Sequence, residues 1–396
     1  MSKVFTIGEI LVEIMASKIG QPFDQPGIWN GPYPSGAPAI FIDQVTRLGV
    51  PCGIISCVGN DGFGDINIHR LAADGVDIRG ISVLPLEATG SAFVTYHNSG
   101  DRDFIFNIKN AACGKLSAQH VDENILKDCT HFHIMGSSLF SFHMVDAVKK
   151  AVTIVKANGG VISFDPNIRK EMLDIPEMRD ALHFVLELTD IYMPSEGEVL
   201  LLSPHSTPER AIAGFLEEGV KEVIVKRGNQ GASYYSANEQ FHVESYPVEE
   251  VDPTGAGDCF GGAWIACRQL GFDAHRALQY ANACGALAVT RRGPMEGTSR
   301  LMEIETFIQR HVHSGSSTMK SEIWSWIGDL SQVAGIKHYE LRSGRAKGTE
   351  AFDVRTGAGL AFTVVKDRAL DIAWASYKDT ALSFITPNGV VAPAFF

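Results

Sequence analysis

Val251-Asp252-Pro253-Thr254-Gly255-Ala256-Gly257-Asp258 is the stretch of this chain whose residue types and spacing can do chemistry. Two glycines around an alanine let main-chain N–H groups converge on one small space. Phe260, Ala263, Trp264, Cys267 and Leu270 then recur at helical spacing and stop at Gly271. Acidic and β-branched residues precede the string and read as the end of a strand. A strand, a glycine turn and the first turn of a helix are therefore expected. A helix N-terminus carries partial positive charge, so the turn makes an anion hole suited to a phosphoryl group. Asp258 sits at its edge. A carboxylate beside a phosphate is unfavourable unless it has a task there, and taking the proton from an attacking hydroxyl is such a task. The plainer reading is a glycine turn whose Asp258 only caps a helix.

Such a turn needs a scaffold. Strands and helices alternate from Val4 to Gln309, which predicts an α/β fold, a parallel doubly wound sheet with helices on both faces. Val4 to Ile7 and Leu11 to Ile14 read as one buried strand, broken at Gly8-Glu9 and running towards Glu13. Strand ends collect ligands in such folds. Gly20 to Pro38 is rich in Gly and Pro and reads as irregular. A helix then runs through Leu48 to a stop at Gly49. Thr89 to Asn107 alternates around a turn at Asn98 to Asp101 and predicts a β-hairpin. Val161 to Phe164 is a strand ending in Asp165-Pro166-Asn167-Ile168-Arg169, polar groups placed to meet a ligand. Arg169 suits a phosphate or a substrate carboxylate, or a surface pair with an Asp. His131 and His133 share a strand face. No carboxylate or Cys at ligand spacing joins them, so they read as core or edge histidines rather than a metal site.

Composition bounds the answer. The chain has 396 residues, 45% hydrophobic and 20% charged, enough for a large core and more than one domain. A net charge of −12 argues against a nucleic-acid partner. No apolar run approaches the ~20 residues of a membrane span. Met1-Ser2-Lys3 leads directly into a strand rather than a signal peptide. Seven cysteines without a Cys-x-x-Cys pair read as reduced thiols of a cytoplasmic protein.

With its following Gly261-Gly262-Ala263, the central string resembles the C-terminal signature of the ribokinase-like (PfkB) carbohydrate kinase family. Gly59-Asn60-Asp61-Gly62-Phe63-Gly64 is similar to that family's N-terminal signature. Gly36-Ala37-Pro38-Ala39 is similar to its sugar-binding turn, with Ser35 for a Gly and Ile40 for an Asn. The resemblance covers about residues 1–312. It implies ATP and Mg²⁺ as cofactors and a β-sheet lid at about 10–35 and 86–112. Asp258 would be the base, with Gly255, Ala256 and Gly257 as the anion hole. Glu13, Gly36, Ala37, Asp61, Asp165, Asn167 and Arg169 would meet the sugar. Lys226, Gly228, Gly231, Gly255, Gly257 and Asn282 would meet the nucleotide. Glu198, with Ser195 for the usual Asn, would act on Mg²⁺ through water. Asp252 and Thr254, with the loop Arg291 to Gly297, match a monovalent-cation site, for example for K⁺. The family lid often pairs with a second subunit, which leaves a homodimer open.

The string Asp165 to Arg169 is similar to that of fructokinases and 2-keto-3-deoxygluconate kinases. The expected activity is transfer from ATP to a primary hydroxyl of a ketose, tagatose among them, or a 2-keto-3-deoxy sugar acid. A nucleoside kinase and a catalytically idle sugar sensor are the alternatives. Residues 313–320 read as a Ser/Gly-rich linker. Residues 321–396 are β-rich, and Phe352 to Leu360 and Val364 to Ile372 resemble the opening of aldose 1-epimerase (galactose mutarotase)-like proteins. Only the start of such a β-sandwich is present, so uncovered apolar surface is expected.

Overall fold

Val4 and Phe5 are adjacent and both fully buried, yet they enter different hydrophobic cores. Successive strand residues point to opposite faces, so both faces of this sheet must be covered. Ile54 and Ile55 divide in the same way. One core is closed by helices Ala37–Arg47, Ala256–Gln269 and Ala274–Ala288, through Phe41, Trp264 and Leu278. The other is closed by Phe142–Ala157, Pro176–Glu187 and Pro208–Glu217, through Val148, Leu182 and Phe215.

The computed structural model describes residues 3–99, 101–168, 175–311, 331, 334–357, 359–378, 380–383 and 389–392. It divides into two compact units, Met1–His311 and Val312–Phe396. The main sheet has nine strands in the order β13-β12-β11-β10-β9-β8-β1-β4-β5. These are β1 (Lys3–Ile7), β4 (Cys52–Gly59), β5 (Ile81–Leu84), β8 (Cys129–Met135), β9 (Val161–Asp165), β10 (Ile191–Tyr192), β11 (Glu222–Lys226), β12 (Ala232–Ser236) and β13 (Gln240–Val243). Pairing is parallel from β5 to β11 and antiparallel at β12 and β13. This is the doubly wound sheet that the alternation predicts.

A second sheet of four strands, β3-β2-β6-β7, is built from the two stretches where a lid is expected. It contains β2 (Leu11–Ala16), β3 (Trp29–Ser35), β6 (Gly90–Tyr96) and β7 (Arg102–Asn107). Two expectations are corrected here. Gly8-Glu9 does not interrupt one strand: β1 and β2 lie in different sheets, and the chain crosses between them at that point. The Gly- and Pro-rich stretch contains a strand, β3, whose Pro32 and Pro34 are tolerated because it is an edge strand paired only with β2. A third correction falls before the central string. Residues 244–250 carry no strand, so the glycine turn is entered from irregular chain.

Within the second unit, β14 (Gly335–Leu341), β15 (Thr349–Arg355), β16 (Leu360–Val365), β17 (Asp371–Tyr377) and β18 (Thr380–Ala381) form an antiparallel sheet in chain order. Val365, Ala373 and Val390 make its small core, while Ile336 and Ile372 stay exposed. The linker at 313–320 and the tryptophans Trp324 and Trp326 lie outside the described residues.

Candidate active site

Gly255 starts the site. It caps the helix Ala256–Gln269 in the left-handed region, with φ 79. A Cβ there would stand 2.7 Å from the Pro294 carbonyl oxygen and 3.2 Å from Ile40 Cγ2. Only glycine fits both the conformation and the space. Ala256, Gly257 and Asp258 form the first helical turn, where N–H groups lack intrahelical acceptors.

Asp258 lines two cavities at once. The larger, of about 820 Å³, is walled by Glu9, Glu13, Gly36, Ala37, Ile40 and Arg102 among others. The smaller, of about 230 Å³, is lined by Asp165, Asn167, Ser195, Glu198, Lys226, Gly255, Gly257 and Asp258. A third, of about 580 Å³, shares Lys226 and Gly257 with the second and adds Gly228, Gly231, Tyr246, Phe260 and Asn282. The three follow one another as a roomy chamber of mixed polar and apolar lining, a small charged niche and a partly aromatic cleft. Burial, then the neighbouring Asp165, pushes the Asp258 carboxyl up to about 8; Lys226 opposes this, and Glu9 and Glu13 add to it.

In the niche, Lys226 forms an ion pair with Asp165. Burial alone would lower the Lys226 ammonium, but Asp165 and Glu198 outweigh it and raise it. Burial lifts Asp165 to about 6 despite Lys226. Asn167, at φ 35, donates its N–H to Asp165 Oδ1 at 3.2 Å. Glu198 accepts the Ile168 N–H at 2.8 Å, and the Ser195 N–H and hydroxyl at 2.8 and 2.7 Å. Ser195 therefore still orients Glu198.

In the large chamber, Glu13 is only 4% exposed. Ser35 Oγ donates to its Oε2 at 3.1 Å, and Oε1 has no hydrogen-bond partner among the described residues. Burial, helped by Asp252, raises Glu13 to about 7, against Ser35 and Arg102. Two departures from the family pattern thus fit each other: the longer Glu13 reaches a hydroxyl that glycine at 35 could not supply. Ile40 forgoes an amide but packs against Gly255. Gly36 is required, since a Cβ would stand 2.3 Å from the Glu9 carbonyl oxygen at φ 113.

Asp252 accepts the Thr254 N–H and hydroxyl at 3.1 and 2.8 Å, and the Gly293 N–H at 3.0 Å. The turn and the Arg291 to Gly297 loop therefore meet. Asn282 lines the third cavity, while its Nδ2 donates to the carbonyls of Val243 and Glu244 at 2.9 and 3.3 Å.

Asp61 is not brought to the chamber. It caps the helix Gly62–Asp74 through the Gly64 N–H at 2.8 Å and holds the Thr89 N–H and hydroxyl at 2.8 and 2.7 Å. These three donors engage both of its carboxylate oxygens in the turn. Arg169 lies outside the described residues. His131 and His133 both hydrogen-bond Ser163 Oγ at 2.7 Å in the core. Among the described residues no group of three or more His, Cys, Asp or Glu is placed to ligate a metal directly.

Sequence reasoning missed Glu9 and Arg102. Glu9 is buried in the chamber wall and accepts from Ser137 and Ser138 Oγ at 3.3 and 2.5 Å. Arg102 reaches from the lid to donate to Thr254 Oγ1 at 2.9 Å. Its signal was available: it alternates in phase with Phe104 and Phe106, and all three line the chamber.

The family model described as pfkB family carbohydrate kinase matches residues 2–300. A second, described as a domain of unknown function (DUF4432), matches residues 346–396. Over 318 residues the chain is 29% identical to probable fructokinase-3 of Arabidopsis thaliana, spanning 77% of this chain and 91% of that protein. A solved structure from E. coli, provisionally named ribokinase II and in complex with ATP and Mg²⁺, is 99% identical, with TM-score 0.77, covering 78% of this chain and 100% of that one. A fructokinase from Xylella fastidiosa with bound ATP is 26% identical, with TM-score 0.69, covering 78% of this chain and 98% of that one.

Proposed function

Because the chain belongs to the pfkB family of carbohydrate kinases, we propose that it moves the γ-phosphoryl group of ATP to a primary hydroxyl of a ketose or a 2-keto-3-deoxy sugar acid. One observation carries this reading: a single carboxylate, Asp258, borders both the chamber sized for an acceptor and the niche beside the nucleotide-sized cleft. In that position Asp258 takes the hydroxyl proton as the oxygen attacks the γ-phosphorus. The N–H groups of the Gly255-Ala256-Gly257 turn stabilise the charge developing on the phosphoryl oxygens. Lys226 borders both niche and cleft, and meets the phosphates.

The niche holds three carboxyl groups, Asp165, Glu198 and Asp258, against one ammonium, Lys226. Phosphates entering it would add further negative charge. The donor set therefore fits Mg²⁺, which Glu198 and Asp165 would hold through its waters and which neutralises phosphate charge when bound. Glu13, with one bare oxygen, accepts a hydrogen bond from the sugar, and Gly36 and Ala37 let the backbone approach it. The lid keeps water, a competing acceptor, out of the chamber.

Acceptor-dependent ADP release, measured across ketohexoses, sugar acids and nucleosides, tests the proposal. Ketoses or sugar acids are expected to stimulate it and nucleosides not. Sugar binding with no ADP release from any acceptor would point to an idle sensor instead. Glu13→Gln should then separate binding from chemistry. A hydrogen bond to a charged group contributes ~1.5–3 kcal/mol, so the acceptor KM should rise roughly ten- to a hundredfold while kcat changes little. An unaltered KM would remove Glu13 from the sugar contacts.

A further inference from the structure

The glycine turn is seated on residues 293–298 by two contacts: the Pro294 carbonyl closes against Gly255, and the Gly293 N–H donates to Asp252. That loop has its own anchor. Arg70, on the helix Gly62–Asp74, donates to the Met295 carbonyl at 2.8 Å, to Thr298 Oγ1 at 3.3 Å and to Glu296 Oε1 at 3.3 Å. Asp74 holds its Nε at 2.7 Å, and Asp43 lies 3.5 Å from Nη2, the nitrogen that meets Met295 and Thr298. Asp43 is fully buried and also accepts the Thr298 hydroxyl at 2.7 Å. Arg47 completes the cluster, 3.8 Å from Asp43 and 3.1 Å from Asp74. Neither Arg70 nor Asp43 lines the chamber, the niche or the cleft.

A buried ion pair is a weak source of net stability, because desolvation cancels much of its attraction. What this cluster offers is direction. A guanidinium is a planar fork that serves several acceptors at fixed angles, and an ammonium is not. We propose that Arg70 is a positioning residue for phosphoryl transfer: it fixes the loop on which the anion hole rests. This inference rests on the kinase reading above. A donor array aimed at developing charge loses much of its effect when displaced, and misplacement by about 1 Å can cost ~10²-fold in rate.

Arg70→Lys in the full chain tests it. Lysine keeps the positive charge beside Asp43 and Asp74 but gives up the fork whose Nη2 reaches Met295 and Thr298 while its Nε holds Asp74. The expected result is a kcat lower by about tenfold, with both KM values unchanged and faster amide exchange over residues 253–258. Thr298→Val is a milder cut through the same cluster and should shift kcat and exchange in the same direction, even where Arg70→Lys folds poorly. A purely structural role for Arg70 predicts a lower melting temperature with unaltered kcat per folded molecule and unaltered exchange at 253–258, and that result overturns the inference. The two readings fail separately. A wild-type chain that transfers no phosphoryl group removes the kinase reading, whereas an active wild type matched by both variants removes only the role of Arg70.

Discussion

Asp258→Asn is expected to lower kcat by roughly 10²–10⁴, the contribution of a positioned base, with acceptor and nucleotide still bound. The amide keeps the shape of the side chain and its place at the junction of the two cavities. It cannot take a proton. Because burial, with Asp165, Glu9 and Glu13, already holds the Asp258 carboxyl largely protonated near neutral pH, the neutral amide changes the charge of the site little, so nucleotide binding should hold. A loss confined to KM would contradict the assignment.

The raised Asp258 carboxyl adds two pH signatures. The base must be ionised to act, so kcat/KM for the acceptor should rise with pH through about 8 and level off above it. Stability should run the other way. The folded-state value lies above the unfolded one, near about 4. The favourable contribution is therefore complete below about 4 and is lost as pH rises through about 8. Asparagine has no such slope. Melting curves should show the variant gaining on wild type between about pH 5 and pH 9, and parallel curves would mean that Asp258 is not held protonated.

Gly255→Ala should be nearly as damaging by a different route. At φ 79 an L-residue costs roughly 1–2 kcal/mol, and its Cβ would overlap the Pro294 carbonyl at 2.7 Å. The turn must move, and the N–H groups move with it. Removing one oxyanion donor typically costs ~10²–10³ in kcat, so at least a hundredfold loss is expected, with the circular dichroism of the fold retained. An alanine variant within tenfold of wild type would mean that the turn does not carry the transferring phosphoryl group.

What could be read in the sequence was local. Gly255 to Asp258 lies within one turn, and Lys226 ends a strand, so neither needed knowledge of distant partners. Glu9 was passed over because its Ser137 and Ser138 partners lie about 130 positions away, beyond β8. Arg102 meets Thr254 across 152 positions. Strand β3 was hidden by Pro32 and Pro34, which argue against a strand except at an edge. The opposite error came at 244–250, where acidic and β-branched residues suggest a strand but Pro247 falls mid-run and no pairing forms. Ser35 stood out only as a departure from the family's glycine. Its value shows only with Glu13, 22 residues earlier, in the same hydrogen bond.

Single-turnover transfer from γ-labelled ATP, followed side by side in wild type and Asp258→Asn, tests the shared carboxylate most directly. Wild type should place the label on a primary hydroxyl of the acceptor. The variant should bind both reactants and leave the label on ATP. Transfer by Asp258→Asn at the wild-type rate would show that another group removes the proton, and the account built on that carboxylate would be wrong.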